Sequence, residues 1–322
     1  VRAVVLAYHN MGIAGLEALL RHGFDVPLVI SHEDDPGENR WFGSVVSFCR
    51  DRGIPVETPA DVNAAPWPER IRALSPDYLF SFYFRSMVKE ELLSVPRVAA
   101  LNLHGSLLPK YRGRAPVNWV LVKGETETGV TLHVMEVKPD AGDIVAQEAV
   151  PIDFDDTAVT LFGKMERAAA RLLHGVLPAL AKGELPRRPN EIAKGSYFGG
   201  RKPADGRIDW SRPALECYNL VRAVTRPYPG AFSTLDGDPF LVWRALPVAA
   251  KGAAPLAPGE TDVRDASGLS PLGPAELPEG RRVVVGTGEG MLLLVEAEWR
   301  RATARGEGIA RLLGEAKERR LS

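Results

Sequence analysis

At 322 residues the chain has room for about two domains and a sizeable buried core, so it needs no disulfide staples. With 45% hydrophobic and 25% charged residues it reads as a water-soluble globular protein, which excludes wholesale disorder and fibrous repeats. Its 40 Lys and Arg nearly cancel 41 Asp and Glu, and a net charge of -1 argues against a broad electrostatic footprint for nucleic acid.

The first half alternates short β-rich runs with amphipathic stretches: Ala3 to Ala7, Gly12 to His22, Val26 to Ile30, Gly43 to Arg52 and Tyr78 to Phe82. That rhythm predicts an α/β fold with a doubly wound, mostly parallel sheet and crossover helices. Apolar runs at Ala99 to Leu103 and Val130 to Met135 continue it. A helix is expected over Thr157 to Leu180, with Leu161, Met165, Ala168, Leu172 and Val176 on one face and Asp155 or Asp156 as its N-cap.

After Pro186 the chain is punctuated by Gly199, Gly200, Pro203, Gly206, Pro213, Pro227, Pro229 and Gly230, which predicts a boundary near residue 203. The expected division is a catalytic domain over 1–202 and a smaller β-barrel-like domain over 203–322. Strands are expected at Ala231 to Leu235, Phe240 to Leu246, Arg282 to Val285 and Met291 to Val295, around a Pro/Gly/Ala-rich stretch from Lys251 to Gly280. Gly286 to Gly290 lacks the full dinucleotide pattern and reads as a hairpin turn. Trp299 to Ser322 holds seven basic and three acidic side chains and is expected to be a solvated tail.

Cys49 and Cys217 stand far apart without a C-x-x-C neighbour, so neither a zinc site nor a disulfide framework is indicated, and a reducing cytoplasm fits. The opening run Val4-Val5-Leu6-Ala7 is too short for a signal peptide, and no segment reaches membrane-spanning length. The six His offer no metal-ligand spacing, so no metal is expected, and His133 reads as a packed strand residue.

Chemistry concentrates where the run Ala99 to Leu103 ends in His104-Gly105-Ser106-Leu107-Leu108-Pro109 and Lys110-Tyr111-Arg112-Gly113-Arg114. Asn102 and His104 are two apart, so in a strand they share a face, and the ends of parallel strands are where open α/β sheets hold ligands. An amide can donate to a developing oxyanion and an imidazole can move a proton, a pairing suited to acyl transfer; polar residues also cap strand ends routinely. Asp140, in the turn-rich loop Val137 to Asp143, would pair with His104 and raise its pKa, or be an ordinary turn aspartate. Gly12 and Gly15 after the first strand suit either phosphate approach or helix packing. Arg201 and Lys202, with Arg226 and Tyr228, suit a diphosphate and a uracil ring, or plain surface solvation.

Asn102-x-His104-x-Ser106-Leu107-Leu108-Pro109, followed by Tyr111-Arg112-Gly113 and a downstream Asp140, resembles the 10-formyltetrahydrofolate-dependent formyltransferases. The resemblance extends through Tyr8-His9-Asn10-Met11-Gly12, Gly53 to Val56, Leu79 to Tyr83, Gly124 to His133 and Arg226 to Phe232, most of the chain to about residue 245. Arg114 to Trp119 is similar to the subgroup that formylates UDP-4-amino-4-deoxy-L-arabinose in lipid A modification. The resemblance implies a Rossmann-like catalytic domain followed by a small OB-like domain. It also implies a folate donor and a sugar-nucleotide acceptor. His104 is then the catalytic acid, Asn102 stabilises the tetrahedral intermediate and Asp140 raises the histidine pKa. The donor is expected against Ser86, Met87, Val88, Arg114 and the loop Glu136, Val137, Lys138, Pro139 and Asp140. The acceptor is expected against Tyr8, His9, Gly12, Arg201, Arg226 and Tyr228. A methionyl-tRNA formyltransferase shares this chemistry but should carry a basic surface, which the charge balance disfavours. With no second sheet-and-helix repeat and no G-x-G-x-x-G fingerprint, no oxidative decarboxylation is expected.

Overall fold

The computed structural model describes residues 1–37, 39–252, 256–314 and 320–322. Through Phe198 the chain forms β1 (Arg2–Ala7), α1 (His9–Arg21), β2 (Asp25–Ile30), α2 (Val45–Asp51), β3 (Val56–Glu57), α3 (Trp67–Ala73), β4 (Tyr78–Phe82), α4 (Glu90–Leu93), β5 (Ala99–His104), β6 (Arg112–Gly113), α5 (Pro116–Val122), β7 (Glu127–Val134), β8 (Ile144–Pro151), α6 (Ala158–Leu180) and β9 (Tyr197–Phe198). Then follow α7 (Ala214–Val224), β10 (Ala231–Leu235), β11 (Asp238–Ala250), β12 (Thr261–Asp265), β13 (Leu269–Pro271), β14 (Arg281–Gly286), β15 (Met291–Trp299), β16 (Ala302–Arg305) and α8 (Gly308–Gly314).

Two compact units emerge: Val1–Pro116 with Glu127–Pro151 and Phe162–Gly199, and Val117–Thr126 with Ile152–Leu161 and Gly200–Ser322. The grouping departs from a contiguous split at residue 203 in two segments, and hydrogen bonds to α7 explain both. Asn118 Nδ2 donates to the Ala223 carbonyl at 2.8 Å, the Tyr218 hydroxyl donates to the Phe154 carbonyl at 2.6 Å, and Arg222 Nη1 reaches the Asp153 carbonyl at 3.2 Å.

The first unit carries a seven-stranded sheet in the order β3-β2-β1-β4-β5-β7-β8. β1 and β4 are apolar and buried nearly end to end, as central parallel strands covered on both faces must be. Val4, Leu6, Leu28, Ile30, Ile71, Leu79 and Leu92 pack one side of the core. On the other, a Cβ at Gly15 would meet the Phe82 ring at 2.4 Å, and one at Gly12 would meet Ala7 and Val45 at 3.1 Å. Close helix packing therefore accounts for these glycines, and Gly12 is buried.

The parallel rhythm stops at β5. β7 runs antiparallel to β5 and β8 antiparallel to β7, because β7 and β8 are joined by the short loop Met135 to Asp143, which only an antiparallel pair can use. The long helix starts at Ala158, and Thr157 accepts from the Thr160 N–H at 3.3 Å, so Thr157 takes the capping place expected of Asp155 or Asp156. Asp156 instead accepts from the Thr160 hydroxyl at 2.8 Å.

The second unit holds an antiparallel sheet in the order β10-β11-β15-β14-β12, with β13 on β11 and β16 on β15. Val248, Leu269, Val284, Met291 and Leu293 form its core. Gly286 to Gly290 turns β14 into β15, with the Thr287 N–H donating to the Gly290 carbonyl at 3.3 Å. The basic C-terminal stretch is not a solvated tail: it supplies β16 and α8, whose Ile309, Leu312 and Leu313 are buried, as is Leu321. Residues 315–319 of that stretch lie outside the described residues. Among the described residues no helix is long and apolar enough to cross a membrane.

Candidate active site

β5 delivers two polar side chains at its C-terminal end. Its register puts Asn102 beside Ser81 of β4 and directly across from His133 of β7, so Asn102 and His133 share a face. Asn102 Nδ2 lies 3.1 Å from His133 Nε2, and His133 Nδ1 lies 2.8 Å from the Val134 carbonyl. One step further, His104 Nε2 donates to the Tyr111 carbonyl at 2.8 Å while Nδ1 faces Asp140 Oδ1 at 3.5 Å.

The loop that supplies the Tyr111 carbonyl is fixed from beneath. The Ser106 hydroxyl donates to the Lys110 carbonyl at 2.6 Å, the Thr131 hydroxyl to the Ser106 carbonyl at 2.6 Å, and Gln147 Nε2 to the Leu108 carbonyl at 2.9 Å. The Ser106, Thr131 and Gln147 side chains thus each have a partner, as a rigid polar network requires.

Asp140 sits in the β7–β8 loop with φ 51°. The Gly113 N–H donates to its Oδ2 at 2.8 Å, and Asn190 Nδ2 holds its main-chain carbonyl at 3.0 Å and that of Gly142 at 3.2 Å. Gly113 has φ 98° and a Cβ there would fall 2.2 Å from the Phe198 carbonyl, so only glycine fits where β6 approaches β9. Tyr83 (φ 57°), Tyr111 (φ 56°) and Ala115 (φ 51°) are also left-handed, a clustering of backbone strain around one site.

Burial would raise the Asp140 carboxyl, but the His104 and His133 rings and the Gly113 N–H outweigh it and hold the group well below the usual carboxylate range. His104 shifts the other way from the sequence expectation. Its burial lowers the imidazole below the ordinary histidine value, overriding the upward pull of Asp140 and of the Tyr111 carbonyl.

These groups open onto a cleft of about 380 Å³ within the first unit, in the size range of small-molecule sites. Of the expected residues, Asn102, His104, Asp140, Ser86, Met87, Val88, Arg114, Glu136 and Pro139 line it. Val137 and Lys138 share the loop but are not among the lining, and the Val137 side chain points to solvent, 63% exposed. Tyr83, Arg85, His133, Met135 and Tyr197 also line it, though the sequence reading did not select them. Nothing in sequence spacing links Asn190 to Asp140 or His133 to Asn102, since strand register and a distant loop bring them together.

The other expected contacts lie elsewhere. Tyr8 and His9 are buried, with the Arg85 guanidinium 4.3 Å over the Tyr8 ring and His9 packed 3.9 Å from Phe42 and 4.5 Å from Phe162. In the second unit Arg201 stacks 4.6 Å over Trp119, and Tyr228 hydrogen-bonds Asn118. Arg226 pairs with the buried Glu296 and with Glu298, and stacks 4.1 Å over Trp243. With Arg305, whose Nε lies 2.8 Å from the other Glu296 oxygen, it neutralises that buried carboxylate, a different use from the expected diphosphate contact. Among the described residues no group of three or more His, Cys, Asp or Glu is placed to hold a metal ion.

A family profile described as formyl transferase matches residues 13–177, and a formyl transferase C-terminal domain profile matches 201–310. The chain belongs to the formyl transferase family. Its fold is similar to that of WlaRD, a sugar 3N-formyl transferase solved with dTDP and 5-N-formyl-THF, at a TM-score of 0.66 and 19% identity over 94% of this chain and 98% of that one. It is similar also to an N-formyltransferase from Helicobacter canadensis solved with folinic acid and dTDP-3-aminofucose (TM-score 0.66, 20% identity, 91% and 97% covered). HypX from Aquifex aeolicus, in complex with tetrahydrofolic acid, matches at a TM-score of 0.61 and 19% identity over 98% of this chain. This formyl transferase chain spans about half of HypX, 47% of its length.

Proposed function

We propose that the protein transfers the formyl group of 10-formyltetrahydrofolate to the amine of a sugar nucleotide, and that the acceptor is UDP-4-amino-4-deoxy-L-arabinose. The convergence of Asn102, His104 and Asp140 at one end of one cleft carries this reading. The ligands of the two sugar formyltransferases similar in fold support a folate donor and a nucleotide-sugar acceptor. The finer choice of acceptor rests on the Arg114 to Trp119 segment. A net charge of -1 suits a small acceptor better than a tRNA.

The cleft fits the donor. Phe84, Met87, Val88, Leu103, Met135 and Pro139 offer apolar surface for a pterin ring. Arg114, exposed at the lining and without an ion pair among the described residues, suits an anionic glutamate tail.

In this mechanism Asn102 donates an N–H to the formyl oxygen as negative charge grows there. His104 starts neutral, takes up the proton the amine sheds as the new C–N bond forms, and returns it to the folate nitrogen as the old C–N bond breaks. Asp140 and the Tyr111 carbonyl, at the two ring nitrogens, stabilise the transient imidazolium. The test is a product assay with 10-formyltetrahydrofolate and two competing acceptors, UDP-4-amino-4-deoxy-L-arabinose and methionyl-tRNA, read by mass spectrometry. Formylated sugar nucleotide supports the reading, whereas formylated methionyl-tRNA rejects it.

A further inference from the structure

We infer that His133 is a positioning residue for Asn102: it fixes which end of the Asn102 amide is NH2 and leaves one N–H for the formyl oxygen. The inference rests on the formyl-transfer reading of Asn102 given above. A carboxamide has two ends of nearly equal shape and opposite hydrogen-bonding character, so an asparagine that must donate needs a neighbour that dictates its orientation.

His133 supplies that instruction through its own backbone. The Val134 carbonyl, 2.8 Å from Nδ1, can only accept, so Nδ1 carries a proton. A neutral imidazole then has a lone pair at Nε2. Asn102 Nδ2, 3.1 Å away, must be the donor, which commits one amide hydrogen and leaves the other for the cleft. His133 is 1% exposed and lies opposite Asn102 in the β5–β7 register, so water does not compete for Nε2.

The other charged and titratable groups facing His133 are Asp140, whose Oδ1 is 3.4 Å from Nε2, and His104, whose ring centre is 6.4 Å away. An imidazolium at His133 would point a donor at the Asn102 NH2 group and would compete with His104 for the same Asp140 oxygen. A ring with its lone pair at Nε2 does neither and holds the amide.

The test is a double-mutant cycle on the full chain with 10-formyltetrahydrofolate and the sugar-nucleotide amine. His133→Leu should lower kcat about tenfold or more with both KM values unchanged. His133→Gln, whose carbonyl oxygen can accept from Asn102, should recover most of that loss. In an Asn102→Ala background, His133→Leu should cost less than about twofold more. Multiplicative effects in the double variant, or a rise in KM at constant kcat, would overturn the inference. Nitrogen NMR of the wild-type ring, assigned by its loss in His133→Gln, should show the Nδ1–H tautomer at neutral pH. An Nε2–H or doubly protonated ring would overturn it. That measurement needs neither substrate nor a folded leucine variant, so it decides the matter even if formyl transfer itself is disproved.

Discussion

His104 Nδ1 stands 3.5 Å from Asp140 Oδ1, yet the imidazole is pushed below its ordinary pKa because burial outweighs the neighbouring charge. The ring is therefore neutral at rest and able to receive a proton. His104→Ala should lower turnover by a factor of about a hundred or more while the melting transition stays cooperative. Near-normal turnover in that variant would remove His104 from the mechanism.

The same shift makes stability depend on pH. Unfolded, His104 titrates near 6.5; folded, it titrates lower, so below 6.5 the unfolded chain takes up a proton that the folded chain refuses. Stability is then lost as the pH falls from that value toward the folded pKa. His32, lowered by burial and by Arg85, acts in the same direction. Asp140, whose folded pKa lies below 3.8, adds stability that persists until more acidic pH. The melting temperature should therefore fall on acidification below 6.5, and less steeply in His104→Gln. Equal slopes in the two proteins would contradict the burial argument.

Asn190 reaches Asp140 from a segment fifty residues away in sequence and satisfies two loop carbonyls with one amide. Asn190→Ala should destabilise the fold by about 1–3 kcal/mol, the cost of leaving such carbonyls unpaired, and should lower kcat by loosening Asp140. Denaturant unfolding and steady-state kinetics on one preparation check both.

Much of this was legible in the sequence because it is local. The apolar runs of β1, β4 and β5 announce buried parallel strands, and the Asn102, His104 spacing announces a shared face at a strand end. What was not legible depends on pairing between distant segments. His133 reads as strand packing until antiparallel β7 sets it opposite Asn102, and the packing of Tyr8 and His9, expected as acceptor contacts, against Trp41, Phe42 and Phe162 is not visible in sequence. Arg226 has the chemistry of a phosphate contact, but the buried Glu296 engages it first. The direction of the His104 shift was missed because a neighbouring carboxylate is visible in sequence and the degree of burial is not.

Gly113 joins the site to β9. Gly113→Ala combines an unfavourable positive φ with a Cβ 2.2 Å from the Phe198 carbonyl, so it should cost about 1–3 kcal/mol of stability. It should also shift the N–H that holds Asp140 Oδ2 and so reduce turnover. A melting temperature and kcat matching wild type would show that the β6–β9 contact is not needed to place the carboxylate.

The most direct test of the account is a single-turnover measurement of wild type against Asn102→Ala, with 10-formyltetrahydrofolate and UDP-4-amino-4-deoxy-L-arabinose, following sugar-nucleotide and folate products together. The account predicts formylated sugar nucleotide and tetrahydrofolate in equal amounts from wild type. Asn102→Ala should bind the donor equally well and react about a hundredfold more slowly or worse. Folate release without formylated sugar, or equal rates in the two proteins, would contradict it.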